Sequence, residues 1–240
     1  MVPTTIAVQA AFTAITIIMT SPLLHLMHLV SPALPVGAYA YSQGLEYAVE
    51  RRWVKGLTGA EEWIGEVLRH SLGGLDLPVL QRLHAAWQIG ANEDVVYWNA
   101  YLQAARESKE LLLEDVQMGE ALLRLLVSLE VPNALAWPKD TPPSFATMFA
   151  LAAQYWQVDS DETLSGFAWS WLENQVAAAI KLVPLGQTDG QRLLLVLMPV
   201  LEAAVSVAKT RGDEDLGVGL PGLAMASAQH ETQYSRLFRS

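Results

Sequence analysis

Cysteine is absent from all 240 residues. Disulfides, thiolate metal sites and a cysteine nucleophile are therefore excluded, and the chain suits a cytoplasmic setting. Charge is sparse as well: 17% of residues are charged and 52% are apolar. That balance suits a filled globular core and argues against disorder. Positive charge is the scarcer sign, with 15 Lys and Arg against 25 Asp and Glu, a net charge of −10. An acidic chain repels phosphate, so nucleic acid is not an expected ligand, whereas a basic protein surface is. The first 19 residues carry no charged side chain and so lack the basic start of a signal peptide. Their apolar part is broken by Gln9, Thr13 and Thr16 and is shorter than the roughly 20 residues of a membrane span. Residues 1–19 are expected to be a dispensable extension, with no membrane partner, and the folded domain to occupy 20–229.

Strand signals are scarce: no hairpin dipeptide stands between alternating segments and no βαβ rhythm appears. Helical periodicity runs through almost the whole chain. In 160–180, Leu164, Phe167, Ala168, Trp171, Leu172, Val176, Ala179 and Ile180 recur at three- and four-residue steps. Asp159 to Glu162 stand at the start of that run, where they cap free N–H groups. Thr58 with Glu61, Asp76 with Pro78, Asn92 with Glu93, and Thr188 with Gln191 mark further helix starts. The run after Thr188 is nearly all apolar in its first half. It is expected to be a buried central helix, kinked at Pro199. Residues 131–144 hold four prolines and read as a loop, and 211–222 read as a flexible acidic one. The expectation is one all-α, single-domain bundle of about eight to ten helices, with a flexible tail at 230–240.

Three stretches invite chemistry. Ala40-Tyr41-Ser42-Gln43-Gly44 falls one residue short of a nucleophile elbow. A serine hydrolase built on Ser42 would need a strand before it, and the prolines of "LVSPALPVG" forbid one. Ser42 then opens a helix instead. His25 and His28 share one helix face and could serve a direct nickel carrier, but no third ligand stands near them and no metal site is assigned. "GVGLPG" lacks the Lys-Ser/Thr of a phosphate loop. The C-terminal "HETQYSRLFRS" mixes Tyr234, Leu237 and Phe238 with Arg236 and Arg239, residue types that dominate interface hot spots.

Taken together, "SPALPVGAYAYSQGLEYAVE", "AAAIKLVPLGQTDGQRLL" and "HETQYSRLFRS" resemble the three signature segments of the urease accessory protein UreF family. The likeness runs from about residue 20 to the end. Departures are small: Ala38 and Ala40 stand where the family commonly has Gly and Ser. The resemblance implies an all-helical, cytoplasmic chaperone scaffold that is not an enzyme and binds no cofactor of its own. Such proteins form homodimers, assemble with the accessory protein UreD (UreH in some species), and recruit the GTPase UreG so that nickel passes to apo-urease. By the same resemblance Glu46, Lys181, Tyr41, Ser42 and Gln43 face the GTPase. Tyr234, Arg236, Leu237, Phe238 and Arg239 form the segment that orders on UreD. Glu46 and Lys181 are expected to be exposed, and the tail to be mobile in the free protein.

Overall fold

The computed structural model describes residues 21–217 and 219–240; the N-terminal extension proposed from the sequence lies outside them. No strand is present among the described residues. The chain runs through α1 (Pro22–Leu29), a 3₁₀ turn (Ala38–Ala40), α2 (Leu45–Glu50) and α3 (Gly56–Glu66). A π-helical stretch (Val67–Asp76) then leads into α4 (Leu77–Ile89) and α5 (Asn92–Ala104). After these come α6 (Lys109–Ser128), the single turn α7 (Pro132–Leu135), α8 (Phe145–Tyr155), α9 (Ser160–Leu182), α10 (Gln187–Ala208) and α11 (Pro221–His230). The all-α class expected from periodicity is the one observed.

The centre of the bundle is α8. Every residue from Ala146 to Ala153 is buried, and α1, α4, α5, α6 and α9 all touch the helix. Four alanines, at 146, 150, 152 and 153, keep its surface slim, so neighbouring helices approach closely. Phe149 meets Phe167 of α9 edge to face at 5.2 Å. The expectation that α10 is the buried central helix is corrected. It packs against α9, α3, α4 and the π-helical stretch, yet its outer side leaves Leu195 65% exposed, with Val196 and Val207 about half exposed. By length and composition α10 is also apolar enough to cross a membrane. Apolar content alone does not tell which side of a helix finds a neighbour.

Local starts agree in part with the sequence. Asp159 caps α9, its carboxylate accepting from the Glu162 N–H at 2.8 Å. Asn92 opens α5, with Glu93 and Asp94 in the first turn. Thr58 is not the start of α3, which begins two residues earlier at Gly56. The loop 211–222, expected to be flexible, is pinned: Arg82 donates to Asp213 at 2.7 Å and to the Arg211 carbonyl at 2.8 Å. The Gly217 N–H reaches the Gly74 carbonyl at 3.2 Å.

Candidate functional site

Residues 31–50 form a compact turn that the sequence builds with glycine at two left-handed positions. Gly37 has φ +77° and Gly44 φ +76°. At Gly44 a side chain is excluded twice over, because a Cβ would also lie 2.9 Å from the Ser227 backbone nitrogen of α11. This close approach seats α2 directly on α11 and brings the chain's last residues alongside Ser42 and Glu46.

The C-terminal segment is clasped there by carboxylates. Glu46 accepts from the Leu237 N–H at 2.6 Å through one oxygen and from the Phe238 N–H at 2.8 Å through the other. Arg236 is ion-paired with Glu110 at 2.6 Å. The Ser240 hydroxyl donates to Glu114 at 2.8 Å. The backbone joins in: the Ser42 N–H and Ser42 hydroxyl both donate to the Ser240 carbonyl, at 2.7 and 2.6 Å, and the Arg239 N–H donates to Ala40 at 2.8 Å. His230 stands between two of the glutamates, Nδ1 at 2.7 Å from Glu110 and Nε2 at 3.2 Å from Glu46. An imidazolium donates to both, a neutral ring to one. Phe238 is buried, and the Lys181 ammonium lies 5.4 Å from the centre of its ring.

Glu114 and its neighbour Asp115 face different partners from adjacent positions on α6. Burial pushes the Glu114 carboxyl up to about 7, against the pull of hydrogen bonds from Gln43 and Ser240. Asp115 joins Asp76 in holding the largely buried Arg106 side chain, at 3.2 and 2.7 Å. Burial alone would lower the Arg106 pKa; the two carboxylates outweigh it and hold the guanidinium charged. Beside these groups lies a cavity of about 330 Å³, walled by Leu72, Phe145, Phe167 and Trp171 together with Arg106 and Glu114.

The structure brings most of the sequence-selected residues into this one place, though not with the expected exposure. Glu46 is only 7% exposed, because its oxygens are occupied by the backbone of the tail. Tyr41 and Ser42 are buried too, and Gln43 bridges Glu114 and the Trp171 indole N–H at 2.8 and 2.7 Å. Only Lys181 of that set is exposed. The tail is not free: Phe238 and Ser240 are buried, while Tyr234, Leu237 and Arg239 face outward. The Ser42 hydroxyl is wholly buried and shared with a carbonyl and the Glu46 N–H, with no imidazole among its partners. His25 stacks on Trp156 at 5.2 Å and His28 meets the same ring edge-on at 5.9 Å. Among the described residues no group of three or more His, Asp or Glu side chains is placed to hold a metal ion.

Sequence reasoning missed Glu110, Glu114 and His230. The one available signal was spacing: Glu110, Glu114 and Gln117 fall four and three residues apart, on one side of α6. Gln117 takes the Tyr41 hydroxyl at 2.7 Å.

The UreF family model matches residues 54–198. Proteins described as urease accessory protein UreF resemble the chain over nearly its whole length. That of Teredinibacter turnerae is 58% identical over 222 residues, 92% of this chain and 100% of that protein. That of Chromohalobacter salexigens is 53% identical over 216 residues, covering 90% and 93%. That of Hahella chejuensis is 51% identical over 218 residues, covering 91% and 98%.

Proposed function

The chain belongs to the UreF family of urease accessory proteins, and from that premise we propose that it is a non-catalytic, cytoplasmic scaffold for nickel insertion into urease. It binds a UreD/UreH-type accessory protein and a UreG-type GTPase, and nickel passes to apo-urease as cargo of the assembly rather than as its own cofactor. It is also a candidate to pair with a second copy of itself.

One observation carries this reading. The two segments that the family resemblance assigns to partners, 41–46 with Lys181 and the tail 234–239, are held together by Glu46 and Phe238 in one unit. That unit turns Tyr234, Leu237, Lys181 and Arg239 outward. Aromatic and cationic groups of this kind anchor interfaces, and on a chain of net charge −10 they single out one surface. The same geometry disfavours the alternatives. Ser42 lacks a general base, and His25 and His28 spend their faces on Trp156.

Co-expression with the UreD- and UreG-type proteins of the same organism tests the reading. A stable assembly containing all three is expected, and deletion of residues 234–240 should remove the UreD-type protein while leaving helical content intact. Retention of that protein at wild-type strength by the truncated chain would assign the contact elsewhere.

A further inference from the structure

We propose that seating of residues 236–240 takes up a proton on Glu114, so that the clasp tightens on acidification and loosens as the solution approaches neutrality. The inference rests on contacts within this chain and holds whatever partner the tail serves.

The geometry is that of a buried carboxylate with neutral company. Glu114 is buried, and its two oxygens receive one amide hydrogen from Gln43 and one hydroxyl hydrogen from Ser240, each at 2.8 Å. The Arg106 guanidinium is bonded to Asp76 and Asp115 instead. No cation is hydrogen-bonded to the Glu114 carboxylate; Arg106 attracts it from a distance, Asp115 opposes that with a like charge next door in the chain, and burial outweighs both. This environment favours the protonated acid, consistent with a carboxyl pushed up to about 7 by burial. Ser240 itself is buried and closes one side of Glu114. When the tail leaves, that side meets water and the carboxyl returns towards its ordinary range near 4.5.

The sign follows from linkage. The docked state binds the proton more tightly than the open state, so protonation favours docking. Docking strength is full below the pKa of the open carboxyl, falls as pH rises to about 7, and is flat above it. One proton can change the docking equilibrium by at most about tenfold per pH unit. The other titratable and charged groups are Glu46 from α2, Glu110 from α6, Lys181 from α9, His230 from α11, and Arg236 and Arg239 of the tail itself, with Tyr41 beside Glu114 and Glu173 of α9 lining the same cavity. Protonating Glu46 or Glu110 would remove acceptors for the tail amides and for Arg236, and so would loosen the tail in acid. The direction of the response separates those groups from Glu114.

The absence of cysteine makes the test clean. Leu237 points outward while its N–H is held by Glu46, so a nitroxide on Leu237→Cys of the full chain reports docking directly. Between about pH 5.5 and about pH 8 the immobile spectral fraction should fall and then level off above about 7. Glu114→Gln, permanently neutral, should stay immobile throughout. Ser240→Ala should move the transition to higher pH, because the lost hydroxyl had favoured the ionised carboxyl. A spectrum independent of pH, a tail that loosens on acidification, or a Glu114→Gln variant that keeps the wild-type response would each overturn the proposal.

Discussion

Two charge clusters sit side by side along α6, at the wall of one cavity, and they solve opposite problems. On one side Arg106 is enclosed by Asp76 and Asp115. It ties α6 to the end of the π-helical stretch, and Asp115 also takes the Phe145 N–H at the start of α8 at 2.9 Å. A single cation is shared by two anions, and none of the three comes from the tail. On the other side Glu46, Glu110 and Glu114 are met within the helical body by His230 of α11 and by Gln43, and otherwise by Arg236, the Ser240 hydroxyl and backbone N–H groups of the chain's last residues. The first cluster is complete without the tail. The second is complete only with it. A carboxylate set that needs a chain end to satisfy it is a docking site by construction, since each unpaired buried carboxylate is costly.

The comparison can be broken most forcefully at Arg106. Arg106→Leu would leave Asp76 and Asp115 buried without their partner. Removing one member of a buried ion pair typically costs about 3–5 kcal/mol, so a large fall in thermal midpoint is expected, and calorimetry checks it. Adding Asp76→Asn and Asp115→Asn should recover part of the loss. A midpoint unchanged in the single variant would mean that the two clusters do not differ as described.

A smaller and more local effect is expected at Glu46. Glu46→Ala removes the acceptor of two backbone N–H groups and one partner of His230. Unsatisfied buried groups cost about 1–3 kcal/mol, but here the tail can swing into water and recover hydration. Circular dichroism should therefore show the helices intact, while limited proteolysis cuts after Arg236 or Arg239 more readily than in the wild type. The exposure expected of Glu46 would have limited the change to about ±0.5 kcal/mol, but the residue is buried. Lys181 is exposed, and its contribution through the Phe238 ring is about 0.5–1 kcal/mol. Lys181→Ala should lower the midpoint by no more than about 2–4 °C and weaken recruitment of the GTPase in the co-purification assay.

The helical class was legible because it rests on local spacing. The 160–180 stripe and the Asp159 cap are written within one stretch of chain, and α9 follows them from Ser160 to Leu182. The centre of the bundle was not legible. The α8 alanines look weakly apolar one by one, while the apolar run of α10 looks like a core on every side, yet Leu195, Val196 and Val207 face outward. The clasp was hidden for another reason. Its partners lie 191 residues apart for Glu46 and Leu237 and 126 apart for Glu110 and Arg236. Acidic residues four apart on a helix ordinarily mark a solvated side, and a polar tail after a glycine-rich loop ordinarily frays. The close approach at Gly44 to α11 and the bonds of Ser42 to Ser240 fold these segments onto one another.

The central claim is that the last residues are seated on Glu46 in the free protein. Hydrogen exchange at the amides of Leu237 and Phe238, followed by NMR on the isolated chain at fixed pH, tests it most directly. Both N–H groups are bonded to a buried carboxylate, so they should exchange far more slowly than the amide of the outward-facing Tyr234 and lose that protection in Glu46→Ala. Exchange of Leu237 and Phe238 at the rate of an unstructured peptide in the wild-type chain would contradict the account.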